Sequence, residues 1–458
     1  MTLQTMEQLL RAILLKHSLR SDKFWTHPWV YGSFLKYIPL FLDTLALMKS
    51  QYWPRERIER LQAERLRMVF FDAVRVPFWR DVFARAGVNG SLSPQEILSR
   101  LPITSKKELA DRPLEYIADT ALLSKSDPDH TSGSTGRPFH FHFDWHASLR
   151  SFAVTERIFR TATGGKRFPI VYMRARPRNG FTFHRHHWFF LRGHHGVRHR
   201  MDEFKKLGER FPRGFVLYGY TSSVVEVVRQ LQKLDMSLPI TAALATGEGT
   251  RISDRTFVEE TLGTAFHLAY ASREAGFLGY ECERHQLHLS EEWAYIEIVD
   301  DQGKPLPFGH EGRIIVTTFD NRVMPFIRYD LGDRGVISNA PCACGRTLRT
   351  ITLRGRTAEL IEVGEGRTVS LLDISSTIDQ YWDSVRQFQI IQKGRLSFVI
   401  KMVPGPQFLK GREILEGKLI RLLHPNVEIR WDVVDEIPEA ESGKAVYFVR
   451  ELENNDTL

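Results

Sequence analysis

His130-Thr131-Ser132-Gly133-Ser134-Thr135-Gly136-Arg137-Pro138 is the stretch on which the reading of this 458-residue chain turns. Such a run packs poorly as helix or strand. Gly133 and Gly136 permit backbone angles closed to other residues. The hydroxyls of Thr131, Ser132, Ser134 and Thr135 lie beside exposed N–H groups, and Arg137 adds a fixed positive charge. The pattern describes a loop that wraps a polyanion, with a nucleotide triphosphate as the expected occupant. The G-x-x-x-x-G-K-[ST] spacing of a Walker loop is absent.

Outward from this loop the chain changes character twice. Residues 1–125 predict mostly helix, with Ile58, Leu61, Leu66, Val69, Phe70 and Ala73 at helical spacing. Ser93 with Glu96 reads as a capping box, and Pro102-Ile103-Thr104-Ser105 starts a further helix. Residues 126–355 predict an α/β body. Strands are expected at 168–173, 240–244 and 265–270, a helix at 222–234, and a strand pair at 295–299 and 312–317. Residues 356–458 predict a smaller α+β domain, with strands near 387–392, 396–402 and 427–433 and a helix near 407–423.

Composition narrows the class. Hydrophobic residues make up 42% and charged residues 26%, as in soluble globular proteins. The net charge of +8 is spread along the chain. It suits anionic small molecules, and no nucleic-acid signature accompanies it. Three cysteines argue against a disulfide framework and for a reducing, cytoplasmic setting. No cleavable leader is recognised in the first residues, and the apolar stretch from Phe34 to Met48 is too short and too charged to span a bilayer. Peripheral membrane contact stays open.

Polar or glycine-rich segments follow several apolar runs: Thr246-Gly247-Glu248-Gly249, Tyr270-Ala271-Ser272-Arg273-Glu274, Arg328 to Asp333, Arg354-Gly355-Arg356 and Glu441-Ser442-Gly443-Lys444. These read as turns, and in open α/β sheets ligands collect at the carboxyl ends of strands. Cys342-x-Cys344, Cys282 and His285 supply three thiolates and an imidazole, the donors of a closed tetrahedral zinc site. His288 competes with His285 for the fourth position. The His-rich stretch at His184, His186, His187, His194, His195 and His199 reads as a loop beside the nucleotide or acyl pocket.

The segments "VPFW", "LPITSK", "GYTSS", "GRIIVTT", "PFIRYDLGD" and "CACGRTL" occur in fixed order. In this the chain resembles the phenylacetate–coenzyme A ligase branch of the adenylate-forming superfamily, from about residue 58 onward. The resemblance implies a large N-terminal domain with mixed sheets and a mobile C-terminal lid. It implies that a carboxylic acid attacks ATP, giving an acyl-adenylate and pyrophosphate, and that coenzyme A or another thiol then takes the acyl group. Ser132 to Arg137 would hold the phosphates, with Arg137 standing where relatives usually carry lysine. Thr131, Gly247, Glu248, Ala271 and Ser272 would line the nucleotide site. Glu274 would bind Mg²⁺, Tyr270 would stack near the adenine, Asp333 would accept both ribose hydroxyls, and Arg356 would contact ribose or phosphate. Lys444 would reach the carboxylate and the α-phosphate. The branch shows similar cysteine and histidine elements at Cys282, His285, Cys342 and Cys344. Ala358 stands where relatives carry an acid or lysine at the hinge. A non-thiol acceptor and a non-catalytic nucleotide-binding role remain the alternatives. The acyl pocket is expected between residues 215–223 and the strand before Gly247, with Phe215, Val216 and Tyr218 favouring an aryl or medium acyl group.

Overall fold

The computed structural model describes residues 37–118, 123, 126–131, 139–174, 182–184, 187–191, 201–364, 366–381, 384–405, 407–438 and 445–451. A twelve-stranded mixed sheet dominates the body. From one edge its strands are Ala294–Val299, Glu311–Thr318, Tyr329–Ser338, Thr350–Arg356, Leu287–Leu289, Gly276–Glu281, Phe266–Ser272, Ile240–Thr246, Phe215–Gly219, Ile170–Arg174, His187–Leu191 and Thr182–His184.

The sheet has two halves of different physical origin. Five neighbouring strands, from Phe266–Ser272 to His187–Leu191, run parallel. Parallel neighbours need crossover connections, and the helices Met201–Arg210, Thr221–Lys233 and Ile252–Leu262 provide them. Because both faces of this half are covered, its strands are mostly apolar, and Phe215–Gly219 is buried at every position. The other half is antiparallel and hairpin-connected, as the pairing of Ala294–Val299 with Glu311–Thr318 shows.

The first helices pack onto this sheet. Leu47, Ile58 and Leu109 share one core with Leu244, Tyr280 and Ile314. Ser93 and Glu96 form the expected capping box on Pro94–Arg100. Ser105 caps Lys106–Asp111. The helix Trp145–Ala162, capped by Asp144, carries Arg157 into the centre of the body.

A separate four-stranded sheet is ordered Glu428–Val433, Ser397–Pro404, Val385–Gly394 and Phe448–Arg450. The helices Leu371–Asp379 and Phe408–Leu423 cover it around Ile374, Phe388, Ile400 and Leu415. Several expectations about local structure change. Arg328 to Asp333 opens the ten-residue strand Tyr329–Ser338 rather than forming a turn. Asp330 pairs with Ile315 on one side and Asp333 with Arg356 on the other, while Gly332, at φ +74°, sits in the irregularity between them and donates its amide to Asp330 Oδ1. Tyr270 to Ser272 and Arg354-Gly355-Arg356 likewise end strands rather than forming turns. Part of the His-rich stretch forms the edge pair Thr182–His184 and His187–Leu191, and His186, His194, His195 and His199 lie outside the described residues.

Arg157 and Glu292 are 0% and 1% exposed and pair at 2.9 Å. Arg157 also donates to Ser290 Oγ at 3.1 Å, while Ser50 Oγ donates to Glu292 Oε1 at 2.5 Å. Leaving one such charge buried alone costs about 3–5 kcal/mol, whereas replacing both by apolar groups is often neutral. Glu292→Ala should therefore lower unfolding stability by about that amount in urea titrations. The double variant Arg157→Met/Glu292→Leu should recover most of the loss.

Candidate functional site

The parallel strands end on one side of the sheet. The turn after Ile240–Thr246 begins with Gly247, whose φ of +73° is in the left-handed region that glycine enters without strain. Beside it lie the ends of Phe215–Gly219 and Phe266–Ser272, followed by Tyr220 and by Arg273-Glu274. A crevice of 2340 Å³ opens here between the body and the small domain. Thr131, Gly247, Glu248, Tyr270, Ala271, Ser272, Glu274, Asp333 and Arg356 all line it. Ser132, Gly133, Ser134, Thr135, Gly136, Arg137 and Lys444 lie outside the described residues.

Within the crevice the polar groups are tightly ordered. Asp333 accepts from the Tyr270 hydroxyl at 2.8 Å on one oxygen and from Arg356 Nε at 3.0 Å on the other. Glu274, 8% exposed, accepts from the Tyr329 hydroxyl at 3.2 Å. Burial, reinforced by the carboxylates of Asp333 and Glu274, holds both phenols well above the usual tyrosine range. Both therefore stay neutral donors. Burial opposes the charge on Arg356, but Asp333 outweighs it and raises the guanidinium's pKa. Thr131 Oγ1 is buried and has no hydrogen-bond partner among the described residues. It opens the glycine-rich run, where a ligand oxygen would satisfy it. Glu248 faces protein: it accepts from Ser222 N at 2.9 Å, from Ser222 Oγ at 3.2 Å and from Ala445 N at 2.9 Å.

The expected acyl wall is only partly correct. Phe215 and Val216 are fully buried in the cores on either face of the sheet and do not reach the crevice. Tyr218 does, stacked on Tyr172 with ring centroids 4.6 Å apart and with Phe277 at 6.4 Å. Strand alternation separates Tyr218 from Phe215, whereas Val216 shares the face of Tyr218 and lies two residues further from the strand's carboxyl end.

The cysteines converge on one another and do not line the crevice. Cys282, Cys342, Cys344 and His288 each present a donor atom within 4.8 Å of the others. The Cys282 and Cys342 sulfurs are 3.8 Å apart, the separation of two thiolates bound at about 2.3 Å to one tetrahedral zinc. His288 Nδ1 donates to Leu348 O at 2.8 Å, which leaves Nε2 as the lone-pair nitrogen, 3.3 Å from Cys344 Sγ. Burial keeps His288 neutral and pushes the Cys282 thiol up to about 12. At Cys344 burial is outweighed by hydrogen bonds, the Arg346 amide's foremost, and the thiol lies below its ordinary value. The donor set fits a structural zinc, so the fourth position falls to His288 and not to His285.

His285 sits at φ +53° in the turn after Cys282 and joins His267 and Glu281 in a second cluster. Here Arg255 donates to Glu281 at 2.8 Å and to His285 Nδ1. That guanidinium supplies the positive charge a cation would bring. Burial lowers His267 to about 4, so it adds no further charge at neutral pH.

Residues 361–451 match the family model described as the CapK C-terminal domain. A phenylacetate–coenzyme A ligase from Thermus thermophilus is 28% identical over 407 residues, covering 81% of this chain and 87% of that protein. Among solved structures, 2-hydroxyisobutyryl-CoA ligase in the postadenylation state with R3-HIB-AMP superposes with a TM-score of 0.70 at 18% identity, covering 88% of this chain and 93% of that one. The same ligase in its thioesterification state, with 2-HIB-AMP and CoA, gives 0.56 at 18% identity over the same shares. The fold is thus that of the adenylate-forming superfamily. The chain is similar to phenylacetate–coenzyme A ligase over most of its length, and residues 361–451 are similar to the CapK C-terminal domain.

Metal analysis of the purified protein checks the donor assignment. Cys344→Ser and His288→Ala should each lose bound zinc, whereas His285→Ala should retain it.

Proposed function

We propose that this protein is an AMP-forming ligase that activates an aromatic carboxylic acid with ATP and passes the acyl group to coenzyme A or another thiol. The observation that carries this reading is the common crevice of Tyr270, Glu274, Asp333 and Arg356 at the carboxyl ends of the parallel strands.

Each residue has a task its geometry suits. Asp333 uses one lone pair per oxygen for Tyr270 and Arg356, and each oxygen retains a second for a ribose hydroxyl. Arg356 carries a fixed charge toward ribose or phosphate. Glu274 is the hard oxygen donor that would hold Mg²⁺, which neutralises phosphate charge when bound. Tyr329 orients that carboxylate from behind. The stacked Tyr172 and Tyr218, with Phe277, favour a planar aryl acid. Thr131 begins the loop whose amides and hydroxyls would surround the transferring phosphate, where charge develops. Lys444 would neutralise both the attacking carboxylate and the α-phosphate as their oxygens approach.

The likeness to the Thermus ligase, over 81% of this chain, supports coenzyme A as acceptor. The cysteine–histidine set, none of which lines the crevice, supports a structural zinc.

Acid-dependent exchange of labelled pyrophosphate into ATP, run across a panel of aryl acids, tests the first step. Lys444→Ala should lower exchange by about 100-fold or more. Asp333→Ala should raise the KM for ATP by about 10- to 100-fold, as expected on losing hydrogen bonds to a charged group. No exchange with any acid by the wild-type protein would overturn the reading.

A further inference from the structure

Two body helices that point at the crevice begin without a cap of their own. In Thr221–Lys233 the capping residue is Tyr220, and in Ile252–Leu262 it is Arg251; neither supplies a side-chain acceptor. Exposed first-turn amides need an acceptor from elsewhere. Glu248 serves the first helix through Ser222 N. The second is served from the small domain: Asp379 accepts from Ser253 N at 3.3 Å and from Ser253 Oγ.

The position of Asp379 is informative. It is the last residue of Leu371–Asp379, where a carboxylate opposes the dipole of its own helix. That cost is offset where the carboxylate meets the positive end of Ile252–Leu262. Arg251, held by Asp254 at 2.8 Å, adds favourable charge nearby. Glu248 makes a second crossing contact, accepting from Ala445 N, the amide that follows Lys444 in sequence. Asp379, Ser253, Glu248 and Ala445 all line the crevice.

We propose that Asp379 is a positioning residue for adenylation: by capping Ile252–Leu262 it docks the small domain so that Glu248 can hold the backbone beside Lys444. This rests on the function proposed above. Caps of this kind shift a two-state equilibrium by about 2- to 30-fold, strong enough to favour docking and weak enough to release in each turnover.

Asp379→Ala, Asp379→Asn and Ser253→Ala test it in the full-length protein. The first readout is hydrogen exchange of the amides at 252–255, which needs no acid. The second compares pyrophosphate exchange with thioester formation from synthetic phenylacetyl-adenylate and coenzyme A. Asp379→Ala should speed amide exchange there by about 5-fold and lower pyrophosphate exchange similarly, without slowing the thioester step. Asp379→Asn, which keeps an acceptor oxygen, should recover part of both effects, and Ser253→Ala should weaken adenylation less than Asp379→Ala. Unchanged amide exchange, or equal losses in both half-reactions, would overturn the proposal. A wild-type protein inert toward every acid would instead refute the proposed function, and amide exchange alone would then decide whether Asp379 caps the helix.

Discussion

The carboxylate of Asp333 is the tie on which the crevice depends. It joins the Tyr270 hydroxyl on the last parallel strand to the Arg356 guanidinium at the end of an antiparallel one. The two halves of the large sheet are built by different rules, one through buried crossovers and the other through hairpins. A shared charged hydrogen-bond pair fixes their ends relative to each other. The low dielectric of the cleft strengthens that tie, and neutral Tyr270 donates to it without competing for charge.

The sequence was most legible where chemistry is local. Gly247, Tyr270 and Glu274 sit in short segments whose composition marks a strand end, and they meet Asp333 in one crevice. Ser93 with Glu96 was readable because a capping box spans only three residues. Legibility declined where distant pairing decides. Asp333 lies in a strand because Arg356, on the neighbouring strand, pairs with it, a fact no local window contains. His285 and His288 both satisfy ligand spacing. Their strand register separates them: His288 stands opposite Thr350, close to the Cys342 and Cys344 turn, while His285 turns toward Glu281 and Arg255. Asp379 and Ser253 are 126 residues apart and belong to no recognisable motif.

Charge placement, more than residue type, separates the two histidine clusters. Cys282, Cys342, Cys344 and His288 bring three thiols and an imidazole together, with the amide and side chain of Arg346 both bonded to Cys344 at the rim. His267, Glu281 and His285 bring hard donors around Arg255. A guanidinium is never deprotonated at physiological pH, so the second cluster is internally neutralised and serves packing between strand and helix.

The middle of the large sheet holds its weakest seam. Leu287–Leu289 has three residues, and it meets Thr350–Arg356 through one paired position, His288 with Thr350. The cysteine cluster brackets that seam, with Cys282 before the short strand, His288 upon it, and Cys342 and Cys344 before its neighbour. A bound ion would therefore act as a rivet across the joint where ladder bonds are fewest. Oxidants or alkylating reagents that consume those thiols would strike the molecule at its natural fracture line, parting the four strands from Ala294–Val299 to Thr350–Arg356 from the other eight while each set keeps its own ladder.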